Sequence, residues 1–153
     1  MSDASMYGYG QCSHLRLKEE KGKVHILFVM GKAGMTPKMT VSILRLELAT
    51  ATLSVEIGEI LKNELEYGNN EDYWMDSKAV LGFISNESSH FHIYLANRVQ
   101  LIHDDATPAL RHYVDSTSNT TDKGSRGMLL KDFVENQNGL RFLTSSENLK
   151  CAN

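Results

Sequence analysis

The chain has 153 residues, a formal net charge of -3, 41% hydrophobic and 23% charged residues, a profile that suits one globular domain and excludes disordered or fibrous classes. The mildly acidic balance argues against a surface that grips nucleic acid unaided, because phosphate-binding faces carry a basic surplus. Cys12 and Cys151 stand at opposite ends without metal-ligand spacing, which excludes a disulfide framework and points to free thiols in a reducing compartment.

The opening MSDASMYGYG has neither a basic n-region nor an apolar h-region, and no apolar run approaches the ~20 residues that cross a bilayer. The expectation is a soluble, intracellular protein, cytoplasmic or nuclear, neither secreted nor membrane-bound. Asp3 ends a very short first strand. Residues 7–17, the polar turn KEEKGK and residues 24–29 then read as two strands of an antiparallel meander. Gly31, Gly34 and Pro37 predict a loop over residues 31–41. The longest helical pattern covers Ile43–Leu65, with Leu46, Ala49, Leu53, Ile57, Ile60 and Leu61 forming one apolar stripe and Glu47 beside it.

Residues 71–75 read as a strand ending at Asp76, followed by a helix from Ser77 that carries Val80, Leu81, Phe83 and Ile84. A further helix over 90–103 places Phe91, Tyr94, Leu95, Val99 and Ile102 on one face. Residues 110–114 read as a short strand, DSTSNTT as a polar loop, and residues 122–134 as a last helix. This order predicts an α/β fold over residues 1–134, a five-stranded mixed sheet flanked by helices, and a polar tail over 135–153. Ligand sites in such sheets gather at the C-terminal ends of adjacent parallel strands. Asp3 and Asp76 both fall at strand ends.

Four acids stand inside recognisable phrases: Asp3 in SDASMYGYG, Glu47 in LRLELATA, Asp76 in YWMDSKAVLGFI and Asp122 in NTTDKGSRG. Each has an ordinary reading alone. Asp3 fits a turn, Glu47 a dipole-favoured surface position early in a helix, and Asp76 and Asp122 helix N-caps. Taken together they suit hard magnesium, which prefers oxygen ligands and is held by a few carboxylates. Two such ions activate water and stabilise the leaving oxygen of a phosphodiester.

The phrases SDASMYGYG, GKAGMTPKMTVSILRLELATATL, YWMDSKAVLGFISNESSHFHIYLANRVQLIH, LRHYV and NTTDKGSRG, with GLRFL near the end, cover nearly the whole chain. In this combination the chain resembles the ribonuclease H region of a BEL/Pao-type retrotransposon polyprotein. The resemblance implies a ribonuclease H-like fold that cuts the RNA strand of RNA–DNA hybrids during reverse transcription. It carries catalysis and the ligation of two Mg²⁺ ions, with Mn²⁺ as substitute, onto Asp3, Glu47, Asp76 and Asp122. Partners would be the hybrid and the reverse transcriptase and integrase domains of a full polyprotein. Substrate contacts are expected at Ser5, Ser77, Asn86, Lys32 and Arg126, because hybrids are read through 2′-hydroxyls and helical shape.

The sequence departs from the family pattern at several places. Leu44 replaces a proline, Leu110 a tryptophan, Thr120 and Thr121 a proline and an alanine, and Gly34 an arginine. DSTSNTT lacks the histidine that many ribonucleases H place before the last acid. Only Met1 and Ser2 precede Asp3, whereas strands usually have about 5 residues, so the chain reads as a fragment whose first strand is cut short. That leaves a second reading, a catalytically inactive remnant that binds nucleic acid or protein weakly, and a third, a related nuclease or integrase-type domain. The scattered histidines show no zinc spacing, Gly8 and Gly10 lack the rest of a dinucleotide fingerprint, and Tyr7, Tyr9, Tyr73 and Trp74 read as sheet packing.

Overall fold

Alternating side chains after Gly8 and a β-branched, aromatic run after Val24 build the two longest strands, as period-two patterns favour a pleated surface. The computed structural model describes residues 1–20, 22–37, 41–65, 71–85, 93–119 and 121–126. In chain order the strands are β1 (Ser2–Ala4), β2 (Gly8–Lys18), β3 (Val24–Met35), β4 (Tyr73–Met75) and β5 (Arg111–Tyr113). The helices are α1 (Ile43–Leu65), α2 (Lys78–Ser85), α3 (Ile93–Asp105) and α4 (Asp122–Arg126). The strands form one mixed five-stranded sheet in the order β3-β2-β1-β4-β5. β1 runs antiparallel to β2 and parallel to β4, and β4 runs parallel to β5.

Two elements differ from expectation. β3 does not stop at residue 29. It keeps pairing with β2 as far as Gly8↔Met35, with one irregularity between Ser13 and His14, so the expected loop over 31–41 is strand up to Met35. Gly34 signals a close approach here and not a turn. It faces Tyr9 across the ladder, and a Cβ there would collide with the Tyr9 ring.

The buried face of α1 keeps Leu46 and Ile57 of the predicted stripe but is shifted from it elsewhere. Leu48, Ala51 and Val55 enter the core with Tyr73, Met75, Val80, Ile84, Val99, Ile102 and Ala106, whereas Ile60 is 57% exposed. α1 packs against β1 and β2 on one side and α3 on another, so Thr50, Thr52 and Ser54 are buried as well. Hydropathy reads these as polar. Thr50 and Thr52 are accommodated by donating their hydroxyls to the carbonyls of Leu46 at 2.8 Å and Leu48 at 2.9 Å.

The helix ends are held by local bonds. At the head of α2, Val80 N–H donates to the Ser77 hydroxyl at 3.3 Å and Leu81 N–H to the Ser77 carbonyl at 3.1 Å. At the foot of α3, the buried Arg111 guanidinium of β5 donates to the Ile102 and Ala106 carbonyls. Several sequence expectations lie outside the described residues: Asn86, His90, His92, Phe91, the reach of the last helix to 134, the tail over 135–153 and Cys151. No helix among the described residues is long and apolar enough to cross a membrane.

The displaced face of α1 can be checked directly. Leu48→Ala is expected to cost about 2–5 kcal/mol by cavity formation. Ile60→Ala, on the predicted stripe, should stay within about 0.5 kcal/mol. Denaturant unfolding of both variants measures the difference.

Candidate carboxylate site

β1 and β4 lie side by side and parallel, with Ser2 opposite Met75. Asp3 on β1 and Asp76, just past β4, therefore project from neighbouring strand ends. Glu47 comes from the early turns of α1, which packs on β1. These three carboxylates line one small depression together with Ser2, Met75, Ser77 and Val80. Asp3 is itself buried, at 8% exposure.

Crowding shows in the electrostatics. Burial pushes Asp76 up to about 6, the Asp3 carboxylate pushes in the same direction and Glu47 adds to it, while a bond from the Asn119 side chain opposes. Glu47 is likewise raised, first by burial and then by Asp3, against a bond from Ser77. Each of these acids, and Asp122 as well, meets a nearby donor. Asp3 accepts from the Ser125 hydroxyl, Glu47 from the Ser77 hydroxyl at 2.6 Å, and Asp122 from Arg126 Nε at 2.7 Å.

Among the described residues no group of three or more His, Cys, Asp or Glu side chains stands ready to hold a metal ion. The donor chemistry still fits a hard cation. Every ligand atom would be a carboxylate oxygen, and a positive charge in the depression would oppose both the burial and the repulsion that raise Asp76.

Asp122 does not line the depression, but the segment that carries it docks beside Asp3 through a close approach that has no signal in the sequence. A Cβ at Gly8 would lie 2.8 Å from the Gly34 carbonyl oxygen and 2.9 Å from that of Ser125. At Gly10 it would lie 3.3 Å from the Thr121 carbonyl oxygen. The two glycines share one face of β2 and let the backbone of residues 121–125 settle on the sheet beside Asp3, which pairs with Gly10.

The polar loop before Asp122 exposes residues 115–118 but is anchored where it meets α4. Asn119, Thr121 and Ser125 are 4%, 1% and 1% exposed. The Asn119 amide donates to the Ser2 carbonyl at 3.0 Å and its oxygen accepts from Thr121 N–H at 3.1 Å. Asn119 and Ser125 both stand inside the NTTDKGSRG phrase, but nothing in that phrase distinguishes them from the polar residues around them.

The expected substrate-contact residues scatter. The Ser5 hydroxyl donates to the Ser125 carbonyl at 2.7 Å and accepts from Tyr7 N–H at 3.1 Å, so it ties α4 to the β1–β2 turn. Ser77 serves Glu47 and α2, as above. Arg126 is exposed beside Asp122, its protonation favoured first by that partner and then by Asp3 and Asp76. Lys32 is exposed on the edge strand β3, opposite Gln11. His112 bonds Asp72 at 2.9 Å and lies against the Trp74 ring.

A mixed sheet of this order, covered by helices and carrying acids at the ends of its central parallel strands, defines an α/β fold of the ribonuclease H-like class. Residues 1–77 match the family model described as Pao retrotransposon-like RNaseH-like domain, and the chain belongs to that family. The matched segment spans Asp3, Glu47 and Asp76 and leaves Asp122 outside it. No curated protein and no solved structure matches the chain.

The raised Asp76 sets a pH dependence of unusual sign. Its carboxyl moves from an ordinary 3.8 to about 6 in the folded state, so between those values the folded chain binds more protons than the unfolded one. Stability should therefore fall as pH rises through that window, with the full penalty present above it. In metal-free buffer the melting temperature is expected to be higher at pH 5 than at pH 7. Asp76→Asn should flatten that slope and raise the pH 7 value by a few degrees.

The glycine face yields a second expectation. Gly8→Ala meets backbone on two sides and should cost about 1–3 kcal/mol by overpacking, with amide exchange accelerated at Ser125. Gly124→Ala meets nothing within 4 Å and should be neutral or slightly stabilising. Equal effects from the two substitutions would show that the close approach does not matter.

Proposed function

We propose that the chain is a metal-dependent endonuclease that cleaves the RNA strand of RNA–DNA hybrids, as part of a retrotransposon's reverse-transcription machinery. The observation that carries this reading is the gathering of Asp3, Glu47 and Asp76 on one depression at adjacent strand ends, in a chain of the Pao retrotransposon-like RNaseH-like family. Asp3, Glu47 and Asp76 would hold one Mg²⁺, and Asp3 with Asp122 the other, with Mn²⁺ as substitute. When bound, such ions activate a water and stabilise the departing oxygen of the phosphodiester.

The chain's own groups prepare that chemistry. With its carboxyl near 6, Asp76 is mostly ionised at neutral pH and available as a ligand. Ser77 and Ser125 orient Glu47 and Asp3, while Asn119 steadies Asp76. Arg126, once exchanged from Asp122, is placed to meet a phosphate. Reverse transcriptase and integrase domains of a polyprotein would supply the basic grip that a net charge of -3 does not.

A second reading, a non-catalytic remnant that binds nucleic acid or protein weakly, is favoured by one specific observation. Asp3, Glu47 and Asp122 are each taken up by a donor of the chain itself. The two readings separate in one experiment, incubation of the purified chain with a labelled hybrid in Mg²⁺ or Mn²⁺. The nuclease reading expects cleavage of the RNA strand and a loss of about 10²-fold or more in Asp76→Asn, the scale of one electrostatic group in a reacting site. Salt-dependent binding without cutting would establish the remnant. Equal cutting by Asp76→Asn would remove the site.

A further inference from the structure

β3 stands at one end of the sheet order, and β2 is the one strand that pairs with it among the described residues. Its outer edge is therefore open. Natural sheets blunt such an edge with prolines, charges, bulges or very short strands. β3 runs from Val24 to Met35 without a proline, and its protection is confined to the second half. Phe28 pairs with His14 and Met30 with Ser13, which leaves Val29 without a partner in the ladder, a bulge. Beyond it stand Gly31, Lys32 and Gly34. Residues 24–28, in contrast, pair regularly with β2, hold no glycine or Lys, and expose Leu27 and Phe28.

The ladder decides which main-chain groups of this stretch face outward. Glu19 N–H donates to the Lys23 carbonyl at 2.8 Å, so Lys23 turns its main-chain groups toward β2. In an antiparallel ladder that direction alternates from residue to residue. Val24, Ile26 and Phe28 thus present their N–H and C=O groups at the open edge. Their side chains share one face of the sheet by the same alternation.

A second copy of this stretch answers those groups. Two identical antiparallel strands related by a two-fold axis normal to the sheet place one residue opposite itself. With Ile26 on the axis, it exchanges two bonds with its own copy, and Val24 exchanges two with Phe28 on either side, about six in all. Phe–Val and Ile–Ile pairs are of the kind that sheets favour. Lys23 falls opposite Val29 and His25 opposite Leu27, so no like charges meet. An axis at Leu27 would set His25 against the bulged Val29 and leave Val24 to pair beyond the bulge, with fewer bonds.

We propose that β3 joins a second copy of this chain through residues 24–28, antiparallel and with the two-fold axis at Ile26, to form one sheet across two molecules. The contact is isologous, so it consumes the open edge and closes at two copies instead of growing into a fibre. It covers one strand edge and a few side chains, less than the ~800 Å² per partner of a standard interface. The dimer should accordingly dissociate at a concentration on the order of 10–100 µM. Its formation is independent of nuclease activity, because β2 separates β3 from β1 and Asp3.

Sedimentation velocity of the full chain from about 1 to 500 µM is expected to show a reversible passage from monomer to dimer. Ile26→Pro removes an N–H that faces outward, a place where edge strands accept proline. It should weaken association about tenfold or more and leave the circular dichroism spectrum of the monomer intact. Ile26→Cys, in a chain whose own cysteines are replaced by serine, gives a second readout. Across the axis its Cα meets its copy at about 5.5 Å, within reach of a disulfide. Mild oxidation should yield a covalent dimer, whereas Lys32→Cys in the same background should yield little.

A chain that stays monomeric over the whole range would overturn the proposal and leave the edge to some other polypeptide. Association of Ile26→Pro at the strength of the parent chain would place the contact on another surface. Equal cross-linking at Ile26→Cys and Lys32→Cys would refute the register, and that comparison decides the matter should the proline variant fail to fold.

Discussion

The single parallel pairing of Ser2 with Met75 is the constraint on which the rest of the site depends. It sets β1 and β4 side by side in one direction, and in that register Asp3 and Asp76 leave the sheet next to each other. Placing two carboxylates there is unfavourable, and α1 adds Glu47. The fold tolerates this arrangement because each acid has a neutral or cationic neighbour of its own. Ser77 comes from the head of α2, and Asn119, Ser125 and Arg126 all come from the stretch 119–126. The pieces that answer the charge are therefore also the pieces that fasten the last described helix to the first strand.

The same constraint explains why small residues dominate one face of β2. The backbone from Thr121 to Ser125 must come within van der Waals range of the sheet to bring Ser125 against Asp3, and Gly8 and Gly10 leave that room. Asn119 extends the seam by bonding the Ser2 carbonyl. The acid cluster and the docking of α4 form one packing problem with one solution.

Much of this was legible in the sequence. Strand and helix periods gave the α/β order, the bounds of α1 and the junction at Asp76, because each is a local pattern with a stop signal beside it. What was not legible is tertiary in origin. Gly34 reads as a break until Tyr9 is seen lying over it. Leu48 and Val55 outrank Ile60 because α3 and the sheet flank α1 asymmetrically. Asn119 is silent in a polar run until Ser2 and Asp76 arrive beside it. For the four acids, the phrases indicated where they stand along the chain but not which donors they would choose.

Ser77 links two separate helices of the molecule. Its hydroxyl donates to Glu47 on α1 while accepting from Val80 at the start of α2. One oxygen thus fixes both where a helix begins and how an acid on another helix is turned. Threonine is the only other side chain that can fill both roles from the same place. A lineage that tolerates drift elsewhere on α2 would find this position closed to gradual change, since any other replacement surrenders the helix start and the carboxylate's orientation in the same step.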